Sequence, residues 1–149
     1  MDIGIKVRLF ICTFAGVGFF PKAPGTAASF AAILILYFFP MPLTGIAVLM
    51  LILFLAGLMA IPGVEARYGT DPGLIVIDEV IGQWVSLLFL PHTVWILALA
   101  FVLFRIFDIF KPLGIDALQK LPGAYGVLLD DILAGFYSFI LIQLLLLVM

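Results

Sequence analysis

The chain has 149 residues, 66% of them hydrophobic and 11% charged, with a mean hydropathy of +1.37. Soluble domains are about a quarter charged, so the composition predicts an integral membrane protein, and the length fits one unit over residues 1–149 rather than two domains. A net charge of −2 without a polybasic run leaves no footprint for a nucleic-acid partner. The lone cysteine, Cys12, cannot close an intrachain disulfide and reads as a packed apolar residue. With one histidine, His92, in a short Pro-His-Thr turn, a structural zinc site is not expected.

In chain order, Lys6 and Arg8 precede LFICTFAGVGFF. This has the form of a signal peptide's basic region and apolar core, but no persuasive cleavage site follows, and the segment is expected to be retained. It is too short to span, so it reads as interfacial or re-entrant. About five hydrophobic helices follow: Gly25 to about Phe39, ending at Pro40-Met41-Pro42; Leu43 to Ile61, ending at Pro62-Gly63; Pro72 to Leu90; Thr93 to Phe110, ending at Lys111-Pro112; and Tyr125 to Met149. The predicted fold class is all-α, a polytopic membrane helical bundle. Asp71-Pro72 has the form of an N-cap followed by proline at the first helical position. Glu65, Arg67, Asp116 and Lys120 read as solvated loop charges, and Trp84, Trp95 and Tyr125 as packing or interface aromatics.

The basic residues are distributed unevenly. An up-and-down path puts Lys6, Arg8, Lys22, Arg67, Lys111 and Lys120 on one side, while the loops FPMPL and PHT carry no Lys or Arg. By the positive-inside rule that side is cytoplasmic, with the N-terminus inside and the C-terminus outside. The same path brings five acids to that end of the bundle. Asp78 and Glu79 lie near the start of the third helix, Asp108 near the end of the fourth, and Asp130 and Asp131 near the start of the fifth. Arg105 lies three residues before Asp108, on the same helical face.

Carboxylates in hydrocarbon are costly, about 2.5–3.5 kcal/mol each on insertion scales, and five in a small volume cannot all stay ionised without a cation. Arg105 and Lys111 would leave an acidic excess. A hard divalent ion accepts such oxygen ligands, and magnesium commonly combines a few carboxylates with water and substrate phosphate. Gly82, Ala134 and Gly135, each one turn after an acid, leave room either for a close helix or for a ligand. A second constellation is KAPGTAAS, Lys22 to Ser29. Thr26 or Ser29 can cap a starting helix there, whose free N–H groups beside Lys22 would suit a phosphate, although no Walker loop is present. Metal and anion cradle together suggest a phosphorylated substrate.

The blocks GVGFFPKAPGTAASF, DPGLIVIDEVIGQWV, FRIFDIFKP and GVLLDDILAGFY, in this order from about Gly16 to Tyr137, resemble the signature blocks of the phosphatidylglycerophosphatase A family. The resemblance implies magnesium-dependent dephosphorylation of phosphatidylglycerophosphate at the bacterial inner membrane, among membrane phospholipids. It puts catalytic acids at Asp78, Glu79, Asp108, Asp130 and Asp131, with Asp78, Glu79, Asp130 and Asp131 as metal ligands. Basic positions fall on Lys22, Arg105 and Lys111, which with Thr26 and Ser29 would bind the substrate. Ala28 departs from the pattern, standing where a glycine is usual. The sequence also speaks against rival chemistries. Gly18 occupies the arginine position of a Cys-x5-Arg loop begun at Cys12, there is no D-x-D pair, and one histidine cannot serve a two-histidine phosphatase. A CDP-alcohol-type phosphotransferase would need D-G-x-x-A-R, whereas Asp131 is followed by Ile132-Leu133-Ala134. A small cation transporter would need polar groups through the membrane's thickness, not at one face.

Overall fold

The structure, a computed structural model, describes residues 2–148. The described residues are all-helical: α1 (Ile3–Cys12), a 3-10 turn (Val17–Phe19), α2 (Pro24–Phe38), α3 (Leu43–Tyr68), α4 (Ile77–Val85), α5 (Val94–Phe110), α6 (Ile115–Gln119) and α7 (Ala124–Val148). Two of them, α3 with 26 residues and α7 with 25, are long and apolar enough to cross a bilayer. Their outer faces carry exposed apolar side chains such as Leu51, Leu55, Met59, Phe136 and Leu144. Such a surface suits lipid better than water. The last residue of the expected fifth helix, Met149, lies outside the described residues.

Two boundaries differ from expectation. The helix expected to stop at Ile61 runs through Pro62 to Tyr68. An internal proline costs about 3 kcal/mol in a helix, and packing of the extra turns against α1 offsets it. Ile61 and Val64 are buried with Leu9 and Cys12, and Arg8 lies so close over Gly63 that any side chain there would strike it. Glu65 is therefore helical, and its Oε1 accepts a hydrogen bond from the Asp71 amide at 3.0 Å.

The second difference is the run Pro72–Leu90, which is not one long helix. Asp71 is left-handed, with φ 45°, and does not cap a helix. The backbone is instead pinned by Val76 N donating to Cys12 O at 2.8 Å and by Leu74 O lying against Gly18, where only a glycine fits. Helix α4 then lasts nine residues. Beyond Val85 the chain tightens into i→i−3 bonds, Leu87 N to Trp84 O and Leu88 N to Val85 O, and reverses near Phe89 with φ 59°. The Ser86 hydroxyl, donating to Gln83 O at 2.6 Å, and the Gln83 amide, donating to Ser86 Oγ at 2.9 Å, satisfy polar groups at this end.

Eight of the nine α4 residues are buried. On one side α2 presents Ala28, Ala32 and Leu36, spaced four apart and fully buried. Ala32 O accepts the indole N–H of Trp84 at 2.9 Å, so Trp84 is a core residue. On the other side α7 crosses where Gly82 meets the Asp131 backbone oxygen and Gly135 meets Gly82 O. The small residues after the acids thus serve helix packing, as small residues do in membrane bundles, and their close approach carries α7's acids to those of α4.

Candidate metal and phosphate site

Three helices supply the charged groups. Asp78 and Glu79 lie in the first turn of α4, Arg105 and Asp108 in the last turns of α5 with Lys111 as its left-handed C-cap, and Asp130 and Asp131 in the second turn of α7. Asp78, Asp108, Asp130 and Asp131 are all buried.

Within this cluster the acids divide. Asp108 pairs with Arg105 and lies 3.7 Å from Lys111 Nζ. Asp130 pairs with Lys111, and its Oδ1 accepts the Asp131 amide at 2.9 Å. Asp78, Glu79 and Asp131 form the other group, each offering an oxygen within 4.8 Å of the others. Asp78 Oδ1, Glu79 Oε2 and Asp131 Oδ2 are buried without a hydrogen-bond partner. Glu79 Oε1 stands 4.0 Å from Arg105 Nη1. Unpartnered buried carboxylate oxygens are costly, and an oxygen-only trio is the donor set a hard divalent ion requires. The residues therefore fit magnesium.

The start of α2 lies directly against this cluster. A Cβ at Gly25 would collide with Glu79 Oε1 and would come within 3.3 Å of Arg105 Nη1. The first helical hydrogen bond here is Ala27 N to Ala23 O at 3.1 Å, so the Gly25 and Thr26 amides precede it as free donors. The expected side-chain cap is absent. Ala23, with φ 51°, occupies the N-cap and Pro24 the first position. Ser29 is buried, with its Oγ donating back to Gly25 O at 2.9 Å within its own helix. Thr26 is half-buried in the first turn. Ala28, the departure from the family pattern, is fully buried and packs in the apolar core. Lys22 is exposed just before the helix and makes no ion pair among the described residues. Reading the sequence placed Gly25 at the phosphate-binding helix start but missed its close approach to Glu79. The only signal was a glycine one residue inside a helix start, where propensity alone disfavours it.

The remaining charges lie elsewhere. Asp116 of α6 and Lys120 just after it, both exposed, pair at 3.2 Å. The Gln119 amide reaches within 3.5 Å of Asp71, bringing the α3–α4 and α5–α7 connections together. His92 sits in the turn between α4 and α5, and partial burial holds its imidazole below the usual range.

The family model described as Phosphatidylglycerophosphatase A matches residues 10–146. Among curated proteins, one from Bacteroides thetaiotaomicron, named as a candidate phosphatidylinositol-3-phosphatase, is 43% identical, covering 90% of each chain. Phosphatidylglycerophosphatase A of Escherichia coli is 38% identical over 83% of this chain and 74% of its own. The Haemophilus influenzae protein of the same name is 37% identical over 85% and 81%. No solved structure matches the chain. With nearly its whole length matched, the chain belongs to the phosphatidylglycerophosphatase A family.

Proposed function

We propose that this protein is a magnesium-dependent phosphatase that releases the terminal phosphate of phosphatidylglycerophosphate, leaving phosphatidylglycerol. The reaction class, hydrolysis of a phosphoric monoester, is that of its family. The observation supporting the metal is the trio of buried, unpartnered oxygens on Asp78, Glu79 and Asp131. These three residues would hold the ion. When bound, magnesium supplies charge neutralisation for phosphate and a more acidic water.

The chain's own residues do the rest. The Gly25 and Thr26 amides and the Arg105 guanidinium, whose Nε has no hydrogen-bond partner, take phosphate oxygens. Asp108 fixes Arg105, and Asp130 and Asp108 together fix Lys111, so both cations face the site at low reorganisation cost. Water adds to phosphorus in line with the departing lipid oxygen. The proton it loses passes to a site carboxylate, a proton from the site is delivered to the departing oxygen as the P–O bond breaks, and the lipid leaves as an alcohol beside inorganic phosphate.

The proposed setting is the bacterial inner membrane, with the chain forming one embedded multi-pass unit of five crossings. The third crossing is α4 completed by the turns up to Leu90, irregular backbone being tolerable at depth where protein surrounds it. All seven Lys and Arg residues then lie toward the cytoplasmic face, as does the site. A second reading, a phosphoinositide monophosphate as substrate, is favoured by the name of the 43% identical relative.

The test measures phosphate release by purified protein from phosphatidylglycerophosphate and from phosphatidylinositol 3-phosphate, with magnesium and with EDTA. The proposal expects release from the first, abolished by EDTA. Preference for the inositol lipid would install the second reading, and activity untouched by EDTA would remove the metal.

A further inference from the structure

An apolar groove of about 440 Å³ lies between the outer faces of α2 and α5. Phe30, Leu34 and Tyr37 form one wall and Ala98, Phe101 and Val102 the other. Its position follows from the phosphate-binding elements. Phe30 comes five residues after Gly25 on α2, and Phe101 four residues before Arg105 on α5. The two rings meet edge to face, with centroids 6.2 Å apart, on the side of the groove nearest the site. From there the groove runs away from the acids toward Tyr37 and Val94, a helical advance of about 10 Å.

We propose that this groove receives one acyl chain of the lipid substrate, an inference that rests on the lipid phosphatase reading above. A phospholipid is an anion joined to hydrocarbon, and the two walls repeat that order. Free amides and Arg105 stand at one end of the same helix pair, and apolar side chains follow at the other. Entering from a bilayer, a chain gains little from leaving lipid for protein. Its contribution is positional: hydrocarbon seated between α2 and α5 aligns the phosphate with both Gly25 and Arg105, so remote contacts serve the reacting centre. Ala98 is the smallest wall residue and is exposed, so bulk there closes the groove without entering the core.

The experiment compares kcat/KM on a long-chain substrate and on its short-chain, micelle-soluble analogue, for the wild type, Ala98→Trp, Leu34→Trp and Ala47→Trp. Leu34→Trp fills the groove from the opposite wall, should Ala98→Trp fail to fold. Ala47→Trp is the control: it fills a second apolar groove of about 370 Å³ between α3 and α7. The wild type should prefer the long chain. Either groove variant should lose at least ten-fold on the long-chain substrate and less than two-fold on the short one, with Ala47→Trp unchanged on both. A wild type indifferent to chain length, equal losses on both substrates, or an Ala47→Trp profile matching that of the groove variants would overturn the proposal. Failure of the wild type to hydrolyse any lipid phosphomonoester would remove the reading on which the groove rests, and the groove assignment with it.

Discussion

Gly25→Ala should separate activity from stability. An added Cβ would strike Glu79 Oε1 and would lie 2.8 Å from Glu79 Cδ. Ordinary carbon contacts are about 3.5–4.0 Å, so the Glu79 carboxyl or the start of α2 must retreat by about 1 Å. Glu79 is a proposed metal ligand and the α2 amides are proposed phosphate donors, so either movement misplaces reacting groups. Misplacement of that size costs about 100-fold in rate. Overpacking costs about 1–3 kcal/mol, but alanine recovers about 0.5–1 kcal/mol in helix propensity, so the net loss of stability should be small. The assay is kcat/KM for phosphate release alongside thermal unfolding in detergent. Gly45→Ala is the control, since its Cβ would meet nothing closer than 3.6 Å. A Gly25→Ala enzyme within three-fold of the wild type would refute the close fit of α2 against Glu79, and with it the shared phosphate and metal site.

Other consequences concern individual charges. Asp131→Asn removes a proposed ligand, so magnesium should raise the unfolding temperature of the wild type but not of this variant, and turnover should fall about 100-fold or more. Asp130→Asn alters the group that holds Lys111 and accepts the Asp131 amide, and spares the unpartnered trio, so it should lose about ten- to a hundred-fold while keeping the magnesium-induced thermal shift; loss of that shift would make Asp130 a ligand as well. Lys22→Ala should weaken substrate use about ten-fold with unchanged magnesium dependence if Lys22 reaches the phosphate, whereas unchanged kinetics would leave it a topology signal. In a Cys12→Ala background, Gln119→Cys should be labelled from the cytoplasm and His92→Cys from the opposite side; labelling of both from one side would break the topology.

The sequence was most legible where a single physical signal dominated. The ranges of α2, α5 and α7 followed from long apolar runs ended by proline or a basic loop, and they stand within a residue or two of expectation among the described residues. The acids could be assigned to one end of the bundle because helix direction and loop charge are local properties. Errors arose where tertiary contacts override local rules. Pro62 reads as a stop, yet α1 packing carries α3 past it. Asp71-Pro72 reads as a cap, yet a turn closed by Ile75 N donating to Pro72 O, and Val76 N donating to Cys12 O, delay the helix until Ile77. The division of the acids into a paired set and an unpartnered trio was not legible either. It depends on how the α4–α7 crossing at Gly82 and Gly135 rotates Asp130 toward Lys111 and Asp131 toward Asp78 and Glu79.

That crossing also explains how an apolar protein can carry VIDEVIGQW. Hydropathy alone assigns Leu74–Leu90 to lipid, where two adjacent carboxylates would each carry the insertion cost of about 2.5–3.5 kcal/mol. Helix α4 avoids the cost by never meeting lipid on its acidic turn, being enclosed by α2, α3 and α7. Its brevity follows from the same arrangement: a helix wholly surrounded by longer ones need not span the membrane thickness itself. The carboxylates are thereby removed from water as well as from lipid, where their formal excess over Arg105 and Lys111 is three charges. In such surroundings an isolated negative excess is far more costly than at a surface. The proposed cation would consequently be held strongly, and the proposed anionic substrate would approach only when that cation and the flanking Arg105 offset the acids. On the proposed reading the order of events is metal first, phosphate second, because without the metal the trio would repel the phosphate proposed to bind the α2 amides and Arg105.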